Sequence, residues 1–256
     1  MSSPLMASPS LLLPLRAAPW QRRVSVPLLV LMAGAGLFAA VAHSALHTHS
    51  FANVDLWLGL ALQAGQSPWV QAPMAFVSAV HGTGGLTLLS VVVVLALWSL
   101  HERPWAIVFA TTMLGEALVN AGLKQVFMRP RPAFSAYAAE LHSYSFPSGH
   151  SMAAAVFYGL LALWWCDRLP GLRARVGVWL AAVAMTGWVG FSRVYLGAHY
   201  ASDVVAGFAA GVAWLALMLV LFNRADRAGA FVRSADARSD SRSEKVDTET
   251  NDTNAD

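Results

Sequence analysis

Charge is what this chain has least of. Only 12% of its 256 residues are Asp, Glu, Lys or Arg, against about 25% in an ordinary soluble domain. A single cysteine, Cys166, excludes an internal disulfide and a thiolate metal cluster. Between Val24 and His101 there is no Lys or Arg at all. Carboxylates are just as sparse in the connections assigned below to the outer face, where only Asp55, Glu140 and Asp203 occur. These absences rule out a secreted disulfide scaffold, a disordered chain and a nucleic-acid reader, so no nucleic-acid partner is expected.

The chain is instead 57% hydrophobic, with ten Trp, twelve Phe and nine Met. A water-soluble monomer of this size cannot hide so much apolar surface. A bilayer core of ~30 Å needs about 20 apolar residues in a helix. Six stretches meet that need: Val24–Val41, Leu86–Leu100, Pro104–Leu123, Ser148–Cys166, Val176–Leu196 and His199–Phe222. The expected fold class is all-α, a polytopic membrane protein built as a six-transmembrane-helix bundle. Asp55–Leu62, inside the long connection His43–His81, reads as a short amphipathic helix at the interface, with Trp57, Trp69 and Phe76 suited to that level. Arg22 and Arg23 before an apolar run ending in Ala40, Val41 and Ala42 imitate a signal peptide, but the run is long for one and is read as the first span.

Orientation follows from the cations. Thirteen fall in the N-terminal segment, the second-to-third and fourth-to-fifth connections and the tail, while only Lys124, Arg129, Arg131 and Arg193 fall on the other side. Both termini are therefore expected in the cytoplasm. The expected organisation is a cytoplasmic segment 1–23, a membrane domain 24–223 with its motifs in 86–222, and a disordered cytoplasmic tail 224–256.

The four outer cations run against the charge bias, and they belong to three polar clusters on one face. The first holds Lys124, Arg129, Pro130, Arg131 and Pro132 at the end of the third span. Guanidinium groups suit bidentate phosphate binding, and Lys supplies a point charge. The second is Pro147, Ser148, Gly149 and His150, opening the fourth span. A helix start with Pro at its first position offers unpaired N–H groups of Ser148 and Gly149 to an anion. The third runs from Ser192 and Arg193 to His199 and Asp203. His199 and Asp203, four apart, share a helix face, so the carboxylate can hold one ring nitrogen and leave the other basic.

Written as patterns, these are Lys-x6-Arg-Pro, Pro-Ser-Gly-His and Ser-Arg-x5-His-x3-Asp. The ordered triple resembles the type 2 phosphatidic acid phosphatase (PAP2) superfamily, over about Leu86–Phe222, in the layout of its bacterial membrane members. The resemblance implies an integral-membrane phosphatase acting through a phosphohistidine. His199 would attack phosphorus, Asp203 would orient it, and His150 would protonate the leaving oxygen. Lys124, Arg131, Ser148, Gly149 and Arg193 would bind the phosphoryl oxygens. No cofactor and no metal is expected, since a two-metal phosphatase wants several convergent carboxylates; His43, His47 and His49 are the one cluster that could hold an ion. The expected partners are the bilayer and a lipid phosphate or diphosphate at the outer leaflet of a bacterial inner membrane, with no oligomeric state implied.

The compact size points first to undecaprenyl pyrophosphate, with Arg129 reaching a second phosphate. Phosphatidate, phosphatidylglycerol phosphate, lipid A phosphate and a phosphotransferase reaction are the alternatives. A transporter would carry ionisable groups along a mid-membrane path, where this chain has only Glu116. Glu116 and Asn120 precede Lys124 at four-residue intervals and suggest a hydrogen-bonded network along one helix face.

Overall fold

The computed structural model describes residues 25–46 and 51–227. Among the described residues there are nine helices and no strand: α1 (Ser25–Leu46), α2 (Ala52–Ala64), α3 (Pro68–Val80), α4 (Thr83–Ser99), α5 (Arg103–Phe127), α6 (Ala136–Ala139), α7 (Gly149–Arg168), α8 (Leu172–Tyr195) and α9 (Ala201–Arg227). The expected segment 1–23 and most of the expected tail lie outside the described residues. Its first residues, 224–227, are the last turn of α9.

Five helices, α1, α5, α7, α8 and α9, are long and apolar enough to cross a membrane, and α3 with α4 makes a sixth candidate, bent by 57° at the break between them. The second expected span is thus a 17-residue helix joined to an unexpected one. Apolar runs alone could not reveal α3. It carries Gln71, Pro73 and Ser78, and it starts at Pro68, whose fixed φ suits a first helical turn. The short helix expected around Asp55–Leu62 is α2. Trp57, Trp69 and Phe76 are exposed, but Asp55 is buried, so α2 turns its carboxylate into the protein.

Helix α7 is the hub. Met152, Val156 and Leu160 are fully buried against its neighbours, and Phe109, Phe157, Leu215 and Leu219 complete the core between α5, α7 and α9. Close approach of α9 to α7 depends on two small residues one turn apart. A Cβ on Gly207 would sit 2.6 Å from the Ser148 carbonyl, and one on Gly211 2.6 Å from that of Met152. This contact locks the start of α7 to the start of α9. Helix α1 lies antiparallel on α9, with Gly34 against Ala209 and Ala213.

The two ends of the bundle differ in chemistry. One carries the Glu102–Arg168 ion pair, with Arg103 over Trp98 and Arg168 over Trp164. The other gathers the α3–α4 break, the C-terminal ends of α5 and α8, the N-terminal ends of α7 and α9, and the loop 128–148. All three polar clusters lie at that second end.

Candidate active site

Helix α8 ends at Tyr195, and Gly197, at φ 69°, takes a left-handed conformation that favours glycine. The chain thereby reverses and leaves His199 in the turn before α9, rather than on the helix as its spacing suggested. It still meets Asp203: His199 Nδ1 lies 3.5 Å from Asp203 Oδ2. Ser145 Oγ donates to the same Oδ2 and lies 3.3 Å from His199 Nδ1. The Tyr200 N–H also donates to Oδ2, at 3.0 Å. The other ring nitrogen, Nε2, faces Arg131 Nη1 at 3.3 Å. His199 is thus held from one side and presents its other nitrogen to a cluster of cations.

That cluster is set by backbone carbonyls and hydroxyls. Arg131 donates through Nη1 to Ala198 O at 2.8 Å, through Nε to Ser143 O at 2.7 Å and through Nη2 to Ser143 Oγ at 2.8 Å. Lys124 Nζ donates to Tyr144 O. Arg193, 2% exposed, donates to Ser78 Oγ and lies 5.6 Å from the Tyr137 ring centre. His150 Nε2 lies 3.2 Å from Ser78 O. A carbonyl only accepts, so this contact places a proton on Nε2.

One cavity of about 770 Å³ is lined by Lys124, Arg131, Gly149, His150, Arg193 and His199 together. Six of the eight residues singled out in the sequence therefore converge. Asp203 stands behind His199 and does not line the space. Ser148 does not line it either, and here the sequence expectation is corrected. Its N–H donates to Asp203 O at 3.0 Å, and its Oγ accepts from Ser151. Helix α7 starts one residue later than expected, at Gly149, so the first-turn N–H groups facing the cavity begin there. Gly149 also packs where a Cβ would lie 2.9 Å from Asn120 Oδ1.

Arg129 is a second correction. Instead of facing the cavity, its Nη1 pairs with Asp203 Oδ1 at 2.6 Å and its Nη2 with Asp55 Oδ2 at 3.0 Å. It stacks 4.3 Å from the Tyr200 ring centre, and Ser202 ties to Asp55 through both its N–H and its hydroxyl. Sequence reasoning also missed Ser145, Asp55 and Ser78. Ser145 had a signal, standing two residues before the Pro147–His150 cluster. Asp55 and Ser78 had none, because they lie more than 70 positions from the residues they hold. The network expected from Glu116 through Asn120 to Lys124 is not formed: Asn120 Nδ2 reaches Met152 Sδ, and Lys124 turns to Tyr144.

Electrostatics follow from burial and these pairings. Burial pushes the His199 imidazole down to about 3; Asp203 opposes this, and Arg193 and Arg131 reinforce it. Burial and Arg193 also lower Arg131. Burial alone would lower Arg129, but Asp203 and Asp55 outweigh it and raise the group. A neutral imidazole beside guanidinium groups has the chemistry to serve as a nucleophile next to a bound anion. Among the described residues no group of three or more His, Cys, Asp or Glu is placed to hold a metal; His47 and His49 lie outside them.

Comparison with known proteins agrees with this geometry. The PAP2 superfamily model matches residues 104–227. Phosphatidylglycerophosphatase B of Bacillus subtilis (strain 168) is 32% identical over 178 residues, covering 69% of this chain and 87% of that protein. The chain belongs to the PAP2 superfamily. A lipid A 1-phosphatase of Rhizobium etli is 34% identical over 125 residues, 45% of this chain and 49% of its own length. The crystal structure of a transmembrane PAP2-type phosphatidylglycerolphosphate phosphatase from Bacillus subtilis superposes with a TM-score of 0.67 at 28% identity, over 77% of this chain and 96% of that one. The PAP2 patterns are therefore carried on the helical membrane frame that the sequence implied, and the chain is a membrane lipid phosphatase of the PAP2 type.

Proposed function

We propose that this phosphatase removes the terminal phosphate monoester of a glycerophospholipid, phosphatidylglycerol phosphate first among them, through a phosphohistidine on His199. The observation that carries this is the two-sided hold on His199. Nδ1 faces Asp203 and Ser145, while Nε2 opens towards Arg131 in the cavity. The Nε2 lone pair attacks phosphorus, the bond to the lipid oxygen breaks, and His150 gives that oxygen its proton. Water then attacks phosphorus, His150 takes the water proton, and the phosphorus–nitrogen bond breaks to free phosphate. Lys124, Arg131, Arg193 and the Gly149 N–H bind the three outer oxygens as their charge shifts. These cations supply the stabilisation that a metal pair supplies elsewhere, and two of the three outer carboxylates, Asp55 and Asp203, are already paired with Arg129. The cation bias supports a site facing the periplasm of a bacterial inner membrane, with both termini in the cytoplasm.

The sequence pointed first to undecaprenyl pyrophosphate, on compact size and on Arg129. Arg129 now has other partners, and size does not discriminate, because the chain spans 87% of phosphatidylglycerophosphatase B. Detergent-purified protein in EDTA should release inorganic phosphate fastest from phosphatidylglycerol phosphate, in a panel with phosphatidate, lipid A phosphate and undecaprenyl pyrophosphate. Faster release from the polyprenyl substrate, or loss of activity with EDTA that a divalent ion restores, would overturn the reading.

A pH profile tests the state of His199. His199 must be neutral to attack, and its proton affinity is lowered to about 3. Activity should therefore persist as pH falls through the ordinary imidazole range near 6.5 and decline only below about pH 5. An acid limb of kcat/KM centred near 6.5 would contradict the assignment to His199.

A further inference from the structure

The cavity does not stop at the phosphate site. It continues between α4 and α5 along Thr87, Ser90 and Val94 on one side and Asn120, Glu116 and Met113 on the other. Most of this extension is apolar, as a passage for lipid chains should be. Four polar side chains interrupt it: Asn120 bonds to Met152 Sδ, Thr87 is exposed, and Ser90 and Glu116 are left. Glu116 is 3% exposed, and no ion pair or hydrogen bond joins it to another described residue. Ser90 Oγ is buried without a partner. Burying such groups is unfavourable unless something pairs with them.

Their depth says what they can meet. Glu116 lies eight residues before Lys124, about 12 Å along the helix axis from the phosphate cations. Helices α4 and α5 run antiparallel from their short connection, which brings Thr87 to about the level of Glu116 and Ser90 within about one turn of it. In a glycerophospholipid whose terminal phosphate is attached through a second phosphodiester, the acyl esters sit about ten bonds from the scissile phosphorus, or ~12 Å when extended. A polyprenyl phosphate has only hydrocarbon at that depth.

We propose that Ser90 and Glu116, with Thr87 beside them, form a second polar subsite that holds the acyl-ester region of a glycerophospholipid and so selects it over a polyprenyl phosphate. Ester oxygens only accept. The Ser90 hydroxyl donates, and so does the carboxylic acid form of Glu116. This inference rests on the proposed glycerolipid substrate and names what would select it.

The test compares kcat/KM for phosphatidylglycerol phosphate with that for undecaprenyl phosphate, as a ratio, in the full-length protein. Ser90→Ala and Glu116→Leu should each lower the ratio about three- to tenfold, the worth of one hydrogen bond. Glu116→Gln, which keeps a donor, should retain most of it. An unmoved ratio in Ser90→Ala and Glu116→Leu, including equal loss on both lipids, overturns the subsite. A wild-type protein that itself favours the polyprenyl substrate overturns the proposed substrate as well, which distinguishes the two failures.

Discussion

Replacing His199 by alanine should lower phosphate release by between about 10³- and 10⁶-fold, the loss seen when a nucleophile acting within a catalytic unit is removed. No neighbour can take over. Of the other cavity-lining imidazoles, His150 points its Nε2 at Ser78 O and His81 is bonded at both ring nitrogens, to Val77 O and the Tyr158 hydroxyl, while Lys124, Arg131 and Arg193 are cations that bind oxygen rather than attack phosphorus. His199 is 2% exposed, so truncation also leaves a hole. His199→Gln fills more of that space and separates lost chemistry from lost packing. Both variants should be inactive on lipid substrate while keeping the wild-type melting transition within a few degrees for the Gln form. Measurable turnover within tenfold of wild type in either would remove His199 from its role.

Asp203→Asn carries the second large effect. The carboxylate is 0% exposed and accepts from Ser145, the Tyr200 N–H and Arg129 while facing His199 Nδ1. An amide of the same shape keeps the volume but loses the charge that faces the imidazole and, in the proposed mechanism, stabilises its cationic phosphorylated form. A comparable exchange in a His–Asp pair costs about 10⁴-fold, and kcat should fall here by at least about 10²-fold. Asp203 does not line the cavity, so KM should change little. Arg129 would retain Asp55 as its only acidic partner, and stability should drop by about 1–3 kcal/mol. A loss shared between kcat and KM, or one smaller than fivefold, would argue that Asp203 only braces the start of α9.

Much of this is legible in the sequence alone. Long apolar runs identify spans because a lipid-facing helix must be apolar for about 20 residues, whatever it packs against. Lys124, Arg131, Gly149, His150, Arg193 and His199 were legible because their chemistry is out of place in an apolar chain and because their clusters fall at matching ends of successive spans. The parts that were not legible depend on distance in sequence. Asp55 sits in a short helix whose polarity suggested the membrane surface, yet it anchors Arg129 and the start of α9. Ser78 belongs to α3, which no apolar run announced, and it joins Arg193 to His150. Ser148 was misjudged by a single residue: with Pro147 ahead of the cap rather than inside α7, the Ser148 N–H reaches back to α9. Arg129 was misjudged because charge alone does not say which way a side chain faces when two carboxylates stand close by.

The most direct measurement of the central claim is a rapid acid-free quench of the enzyme with ³²P-labelled lipid phosphate, followed by peptide mapping of the labelled protein. The account predicts an acid-labile, alkali-stable label on the peptide holding His199, absent from His199→Gln and longer-lived in His150→Ala. Label on another residue, or full turnover with none on the protein at any time, would contradict it.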